Sequence, residues 1–125
     1  MKKIIQTKNA PATIGPYSQA VAFKNLIFCS GQIALNPQSG EFFAGNISEQ
    51  TEQVIQNLKA VLTEAGSSLD KILQTTVYLK NMSDFTQFNL AYAKFFPSEP
   101  PARATIGVAE LPKGALVEIS AIAII

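Results

Sequence analysis

The 125-residue chain has no histidine, no tryptophan and one cysteine, Cys29. Without histidine there is no Ser-His-Asp triad, no Cys-His pair and no histidine-ligated zinc or haem. A lone cysteine forms neither an internal disulfide nor a metal-binding cluster. Charged residues make up only 15% of the chain, against about 25% in a typical soluble domain. The net charge of +1 lacks the basic excess of a nucleic-acid surface. Long hydrophobic runs are also missing. The longest is the tail 119–125, interrupted by Ser120, which is strand length and far short of the ~20 residues of a membrane span. No apolar signal-peptide core follows Lys2-Lys3. The expectation is a cytoplasmic protein with no membrane association, and one unpaired cysteine agrees with a reducing compartment. Any chemistry rests on carboxylates, Arg, Lys, Tyr, hydroxyls and backbone amides.

The charge deficit has a structural consequence. A small domain has a large surface for its volume and normally covers it with Lys, Glu, Asp and Arg. This chain has too few, which implies a surface rich in Ser, Thr, Asn and Gln, with part of it buried against other subunits.

Hydropathy patterning predicts one α+β domain over residues 1–125. Residues 2–6 are a short edge strand. Asn9-Ala10-Pro11 and Gly15-Pro16 mark an irregular segment. Residues 17–23 alternate, with Tyr17, Gln19, Val21 and Phe23 on one face. Leu26-Ile27-Phe28-Cys29 is a continuous apolar run, as in a strand covered on both faces. The first helix starts at Asn46 with Glu49, or at Ser48 alone, and keeps Val54, Ile55, Leu58, Val61, Leu62 and Ala65 on one stripe before Gly66 stops it. A strand spans 72–79. Ser83-Asp84, with Gln87, caps a second helix whose aromatic stripe ends before Pro97. Two further strands, 102–108 and 115–125, complete a mixed sheet with helices against one face.

In a charge-poor chain, charges inside strands are informative. Arg103 and Glu118 are two such, and a hairpin about 109–112 would bring them nearly opposite each other. They can be a structural ion pair, since an unpartnered buried charge costs several kcal/mol, or an exposed face of an edge strand. They can equally be functional, with Arg as a bidentate fork for a carboxylate and Glu as the base that orients a water. Asn89 and Tyr92 share a helical face, although mid-helix Asn often just points outward. Ser30-Gly31 interrupts an apolar strand, where glycine often marks a bulge or a close backbone approach. Tyr17 fits a core position or a pocket wall, and Cys29 fits inert packing.

Three stretches taken together resemble the Rid family, the reactive-intermediate deaminases of the RidA type once labelled translation-initiation inhibitors. They are Ile14-Gly15-Pro16-Tyr17-Ser18-Gln19-Ala20, Ser30-Gly31-Gln32-Ile33, and Pro101-Ala102-Arg103 through Leu111-Pro112-Lys113-Gly114-Ala115 to Val117-Glu118-Ile119. The resemblance covers essentially the whole chain. It implies a chorismate-mutase-like α+β fold assembled as a homotrimer, with sheets lining a barrel and active sites in clefts between subunits. It implies hydrolysis of enamines and imines such as 2-aminoacrylate, 2-iminopropanoate and 2-iminobutanoate to 2-oxo acids and ammonia. It also implies a functional link to pyridoxal-phosphate dehydratases, with no cofactor or metal in the deaminase itself. Carried over by position, Arg103 grips the substrate carboxylate and Glu118 positions the attacking water. Tyr17, Ser30, Gly31, Asn89 and Tyr92 line the cleft. Thr105 is the substrate-facing position where many relatives have Cys, and Ser120 stands where a second glutamate is frequent. Two other functions compete: a non-catalytic trimer that binds small carboxylates and regulates a partner, and RNA cleavage. The charge gives no support to the latter, because Lys2-Lys3 is the only adjacent basic pair.

Overall fold

Helix α1 (Ile47–Glu64) forms where the apolar stripe predicts it. The Asn46 side chain accepts the Glu49 amide and the Glu49 carboxylate accepts the Asn46 amide, a reciprocal cap that satisfies two otherwise free donors. Gly66, at φ +81°, follows the helix in the left-handed conformation that glycine tolerates. Val54, Ile55, Leu58, Val61 and Leu62 are buried along one side. The computed structural model describes all of residues 1–125. Its strands are β1 (Lys3–Ile5), β2 (Ala20–Phe23), β3 (Leu26–Gln32), β4 (Ile72–Leu79), β5 (Ala102–Gly107) and β6 (Val117–Ile124), with α2 (Phe85–Ala93) between β4 and β5. No helix is long and apolar enough to cross a membrane.

The second helix starts differently from the sequence expectation. A 3₁₀ turn, Met82–Asp84, feeds directly into α2. Asp84 already has helical dihedrals (φ −84°, ψ −1°), and its side chain makes no capping hydrogen bond. An N-cap needs an extended backbone for its side chain to reach the free amides.

The six strands form one mixed sheet in the order β1-β2-β3-β6-β4-β5. β6 is antiparallel to both neighbours, β3 and β4, while β5 lies on the far edge, parallel to β4. The hairpin expected between the last two strands does not form. β4, α2 and β5 make a crossover unit, and a helical crossover delivers parallel strands. The chain then turns through Pro112–Gly114, with Lys113 at φ 57° and Gly114 at φ 70°, and β6 enters the sheet interior.

This topology sorts the side chains. One face carries Ile27, Val77, Leu79, Val117, Ile119 and Ala123, all fully buried against α1 and α2. The opposite face is open. Its register aligns Ile4, Val21, Phe28, Ile122 and Gln74 across five strands, and Ile4, Phe23, Leu26, Phe28 and Ile106 are exposed. The uninterrupted apolar run of β3 therefore has its helix-facing half buried and its other half uncovered in one chain.

Buried amides pin the helix to the sheet. Gln50 donates to the Gly45 carbonyl (2.8 Å) and accepts the Leu116 amide (2.9 Å). Asn57 donates to the carbonyls of Ile33 and Leu35. Removing the cap tests whether α1 depends on its reciprocal bonds. Asn46→Ala is expected to lower stability by about 1 kcal/mol, measured by urea unfolding, with the native circular dichroism spectrum unchanged.

Candidate functional site

Arg103 stands on β5 at the register position of Thr75 on β4. Thr75 is buried on the helix-covered face, so Arg103 projects towards α2. Its guanidinium carbon lies 4.9 Å from the Tyr92 ring centre, 5.5 Å from Phe88 and 5.7 Å from Phe85. These rings form an aromatic floor that attracts the cation without neutralising it. No carboxylate lies within ion-pair distance, since the only salt bridge in the molecule is Lys94–Glu52. Asn89, Tyr92, Phe96, Pro100, Pro101 and Arg103 line a cavity of about 390 Å³.

Tyr92 is buried, and its hydroxyl shares a 2.7 Å hydrogen bond with the Thr75 hydroxyl. Burial pushes the phenol pKa up, opposed by the Thr75 hydrogen bond and the positive charge of Arg103. Two residues beyond Arg103, on the same face, the Thr105 hydroxyl is buried and has no hydrogen-bond partner. It is the one side-chain polar atom of the molecule in that state, which leaves its bonding capacity free beside the unpaired guanidinium.

Glu118 occupies the other face. It is paired in register with Tyr78 of β4, one residue out of phase with the buried Val117 and Ile119. The register between β3 and β6 shifts between Cys29 and Gln32, at Ser30-Gly31. A methyl group on Gly31 would fall about 3.0 Å from Cγ of Glu118 and closer still to its carboxylate. Glycine here leaves the room that the Glu118 carboxylate occupies; any side chain at this position would push that carboxylate aside. Burial raises the Glu118 pKa above the ordinary carboxylate value. The Ser30 hydroxyl donates to the Ser18 carbonyl (2.6 Å), and the Ser30 amide to the Gln19 carbonyl (3.0 Å). Tyr17 is half-exposed. Tyr17, Ser30, Gly31, Lys113 and Glu118 line a second cavity of about 620 Å³, walled on one side by Pro11–Ile14.

The structure thus divides the candidate residues into two groups. Arg103, Asn89, Tyr92 and Thr105 gather at β5 and α2; Tyr17, Ser30, Gly31 and Glu118 gather around the bulge of β3. The near-opposite placement of Arg103 and Glu118 is corrected: β4 separates their strands and they face opposite sides of the sheet. The internal ion-pair alternative fails with it. Phe85 and Phe88, legible only as an aromatic stripe, prove to be the floor beneath Arg103. The 11–14 wall has no periodicity that could announce it. Cys29 is buried with its thiol pushed up to about 12, so it is a poor nucleophile. No three acidic or cysteine side chains cluster closely enough to hold a metal ion.

Set beside known proteins, residues 7–125 match the family described as Endoribonuclease L-PSP. A RutC family protein of Pyrococcus horikoshii is 50% identical over 98% of both chains. The chloroplastic Reactive Intermediate Deaminase A of Arabidopsis thaliana is 43% identical over 98% of this chain and 65% of its own length. The crystal structure of YyfA, a Rid-family protein of Yersinia pestis, is 48% identical, covers 100% of both chains and superposes with a TM-score of 0.97. The chain belongs to the L-PSP family, to which the Rid and RidA proteins also belong.

The Tyr92–Thr75 contact gives a direct test of the floor. Tyr92→Phe leaves the Thr75 hydroxyl buried without a partner and is expected to cost about 1–3 kcal/mol. Adding Thr75→Val should recover most of that loss in urea melts, because neither polar group then remains.

Proposed function

We propose that the protein hydrolyses reactive 2-enamino and 2-imino acids, 2-aminoacrylate/2-iminopropanoate and 2-iminobutanoate, to 2-oxo acids and ammonia. The observation that carries this reading is the Arg103 guanidinium, without a carboxylate partner and 4.9 to 5.7 Å from three ring centres, beside a small cavity. An arginine with no internal carboxylate keeps its fork of donors free for a bidentate contact with a substrate carboxylate.

Arg103 and Glu118 face opposite sides of the sheet, so one chain does not present both to one small molecule. The reading therefore places the reaction between copies of the chain, with the Arg103 group of one subunit closing over the Glu118 group of the next, in a homotrimer. The uncovered apolar face supports such an assembly, because contiguous apolar patches are uncommon on monomers.

In that cleft the enamine tautomerises to the imine, whose carbon is already electrophilic. Arg103 fixes the carboxylate and therefore the position of that carbon. Water adds to the protonated imine: the Glu118 carboxylate accepts a proton as the water oxygen bonds to the iminium carbon, giving a neutral carbinolamine. Glu118 returns that proton to the nitrogen, and as the carbon–nitrogen bond breaks the hydroxyl gives its proton to the Glu118 carboxylate, so that ammonia leaves, the 2-oxo acid forms and the remaining proton passes to the ammonia or to water. Burial raises the Glu118 pKa, which makes the carboxylate a better proton acceptor than an ordinary glutamate. The Thr105 hydroxyl, Asn89 and Ser30 supply polar surface around the reacting atoms. The family's endoribonuclease description is not carried over: the net charge is only +1, and a phosphate-tracking surface needs clustered cations.

The assay couples the protein to a serine or threonine dehydratase and follows ammonia or oxo-acid release. Arg103→Ala is expected to lower kcat/KM by about 10²-fold or more, and Arg103→Lys to recover little, since a point charge does not reproduce the fork. If Arg103→Ala and Glu118→Ala match the parent, the assignment fails; tight binding of 2-oxo acids without turnover would favour a regulatory role.

Glu118 must be ionised to accept the proton. kcat/KM is thus expected to rise with pH through a midpoint above the ordinary carboxylate range, and this limb should vanish in Glu118→Gln. Light scattering should give three times the chain mass, and a monomer of full activity would exclude the composite cleft.

A further inference from the structure

We propose that Gln19 is a positioning residue for the Glu118 group: its carboxamide pins residues 7–11 so that the following residues, 11–14, stand as a fixed wall of the cavity. This rests on the catalytic reading of Glu118 given above.

The Gln19 side chain is 3% exposed. Its Oε1 accepts the Thr7 amide at 2.7 Å. Its Nε2 donates to the carbonyl of Pro11 at 2.8 Å and reaches those of Thr7 at 3.1 Å and Ala10 at 3.4 Å. One buried side chain thus supplies every hydrogen bond between residues 7–11 and the start of β2. The other side-chain hydrogen bonds of residues 7–14 are local, from the Asn9 amide to the Thr7 hydroxyl and from the Ile14 amide to the Tyr17 hydroxyl.

The backbone of the same residue faces the reaction side. The Gln19 carbonyl accepts the Ser30 amide, and the preceding carbonyl, of Ser18, accepts the Ser30 hydroxyl. Ser30 leads directly to Gly31, whose Cα hydrogens abut the Glu118 carboxylate. Gln19 therefore joins both sides of the cavity: the 11–14 wall through its side chain, and the bulge beneath Glu118 through its main chain.

The consequence is electrostatic. Pro11–Ile14 bring no charge. The titratable or charged groups on the side of Glu118 are Tyr17 at the end of the wall segment, Lys113 from the turn before β6, Tyr78 from β4 and, two residues beyond Tyr78 on the same face, Lys80, whose amide bonds the Leu116 carbonyl. Lys8 lines the neighbouring cavity, on the outer side of the segment. A displaced wall admits water to the carboxylate without removing any charged neighbour, so Glu118 should titrate closer to an ordinary glutamate.

The experiment compares the full-length parent with Gln19→Met, Gln19→Glu and Thr51→Ala. Methionine keeps the size and removes all the hydrogen bonds. Glutamate keeps the acceptor for the Thr7 amide and removes the donors. Thr51→Ala removes a buried α1 hydroxyl that bonds the Ile47 carbonyl, and serves as an equally buried lesion outside both cavities.

Gln19→Met is expected to speed amide exchange in residues 7–14 about tenfold or more. It should lower the Glu118 midpoint seen by carboxyl carbon-13 NMR, and move the acid limb of kcat/KM to lower pH. Gln19→Glu should fall between it and the parent in amide exchange, the reading its added charge does not confound, while Thr51→Ala lowers the melting temperature and moves none of the three. Folded Gln19 variants with parental exchange and a parental Glu118 midpoint would overturn the proposal; should Gln19→Met not fold, Gln19→Glu decides by amide exchange. A parent without deaminase activity would refute the function assigned to Glu118, while exchange and NMR would still judge the clamp.

Discussion

The place of β6 in the middle of the sheet governs where every functional side chain can lie. Because β6 inserts between β3 and β4, Glu118 is brought against the bulge of β3, and β5 is displaced to the edge. Because β5 arrives through the α2 crossover, its phase relative to β4 points Arg103 at the helix. The two charges are thus segregated by topology to opposite faces. A carboxylate and a guanidinium in one small chain would otherwise tend to find each other, and an internal ion pair would saturate the fork to which the proposed substrate carboxylate would bind.

Segregation also leaves the only arginine of the chain, exposed on β5, without an anionic partner. The guanidinium is more weakly hydrated than an ammonium and stacks on aromatic faces. Phe85, Phe88 and Tyr92 attract the cation but leave the donors at its edges free of a carboxylate partner. Tyr92 is itself held by Thr75, so the floor is anchored to β4, the strand on which Arg103 is registered. Pre-ordering of this kind lowers the entropic cost of gripping a ligand.

Local signals were strong enough to read nearly all of the elements from the chain. The α1 stripe, the Asn46/Glu49 box, Gly66 and the β-branched run 72–79 each carry a period or an end signal that survives in the structure. The family was legible through three separated motifs. What failed was pairing. The strand period places Arg103 and Glu118 on faces but does not say which strand lies beside which, and the short interval before β6 imitates a hairpin. The helix between β4 and β5 was the signal for parallel pairing. The role of Gln19 was illegible for another reason: it lies just before β2, where alternation no longer fixes direction, and its partners are backbone groups of an irregular segment.

The lack of histidine takes on a different meaning beside this geometry. Histidine suits neutral-pH proton transfer because its ordinary pKa lies near 6.5. In the proposed reaction that part would fall to Glu118, a glutamate desolvated between a glycine bulge and an uncharged wall. An imine carbon needs only an oriented water and a proton acceptor, a demand that such a carboxylate would meet. Desolvation works only while water is kept out, and in one chain Glu118 is only half-buried in an open cavity. A subunit laid across that opening would complete the exclusion and bring an Arg103 that its own chain keeps on the other face. Covering the apolar sheet face and assembling the reaction centre would then be the same event, which gives a chain with so little charge a reason to leave that face bare.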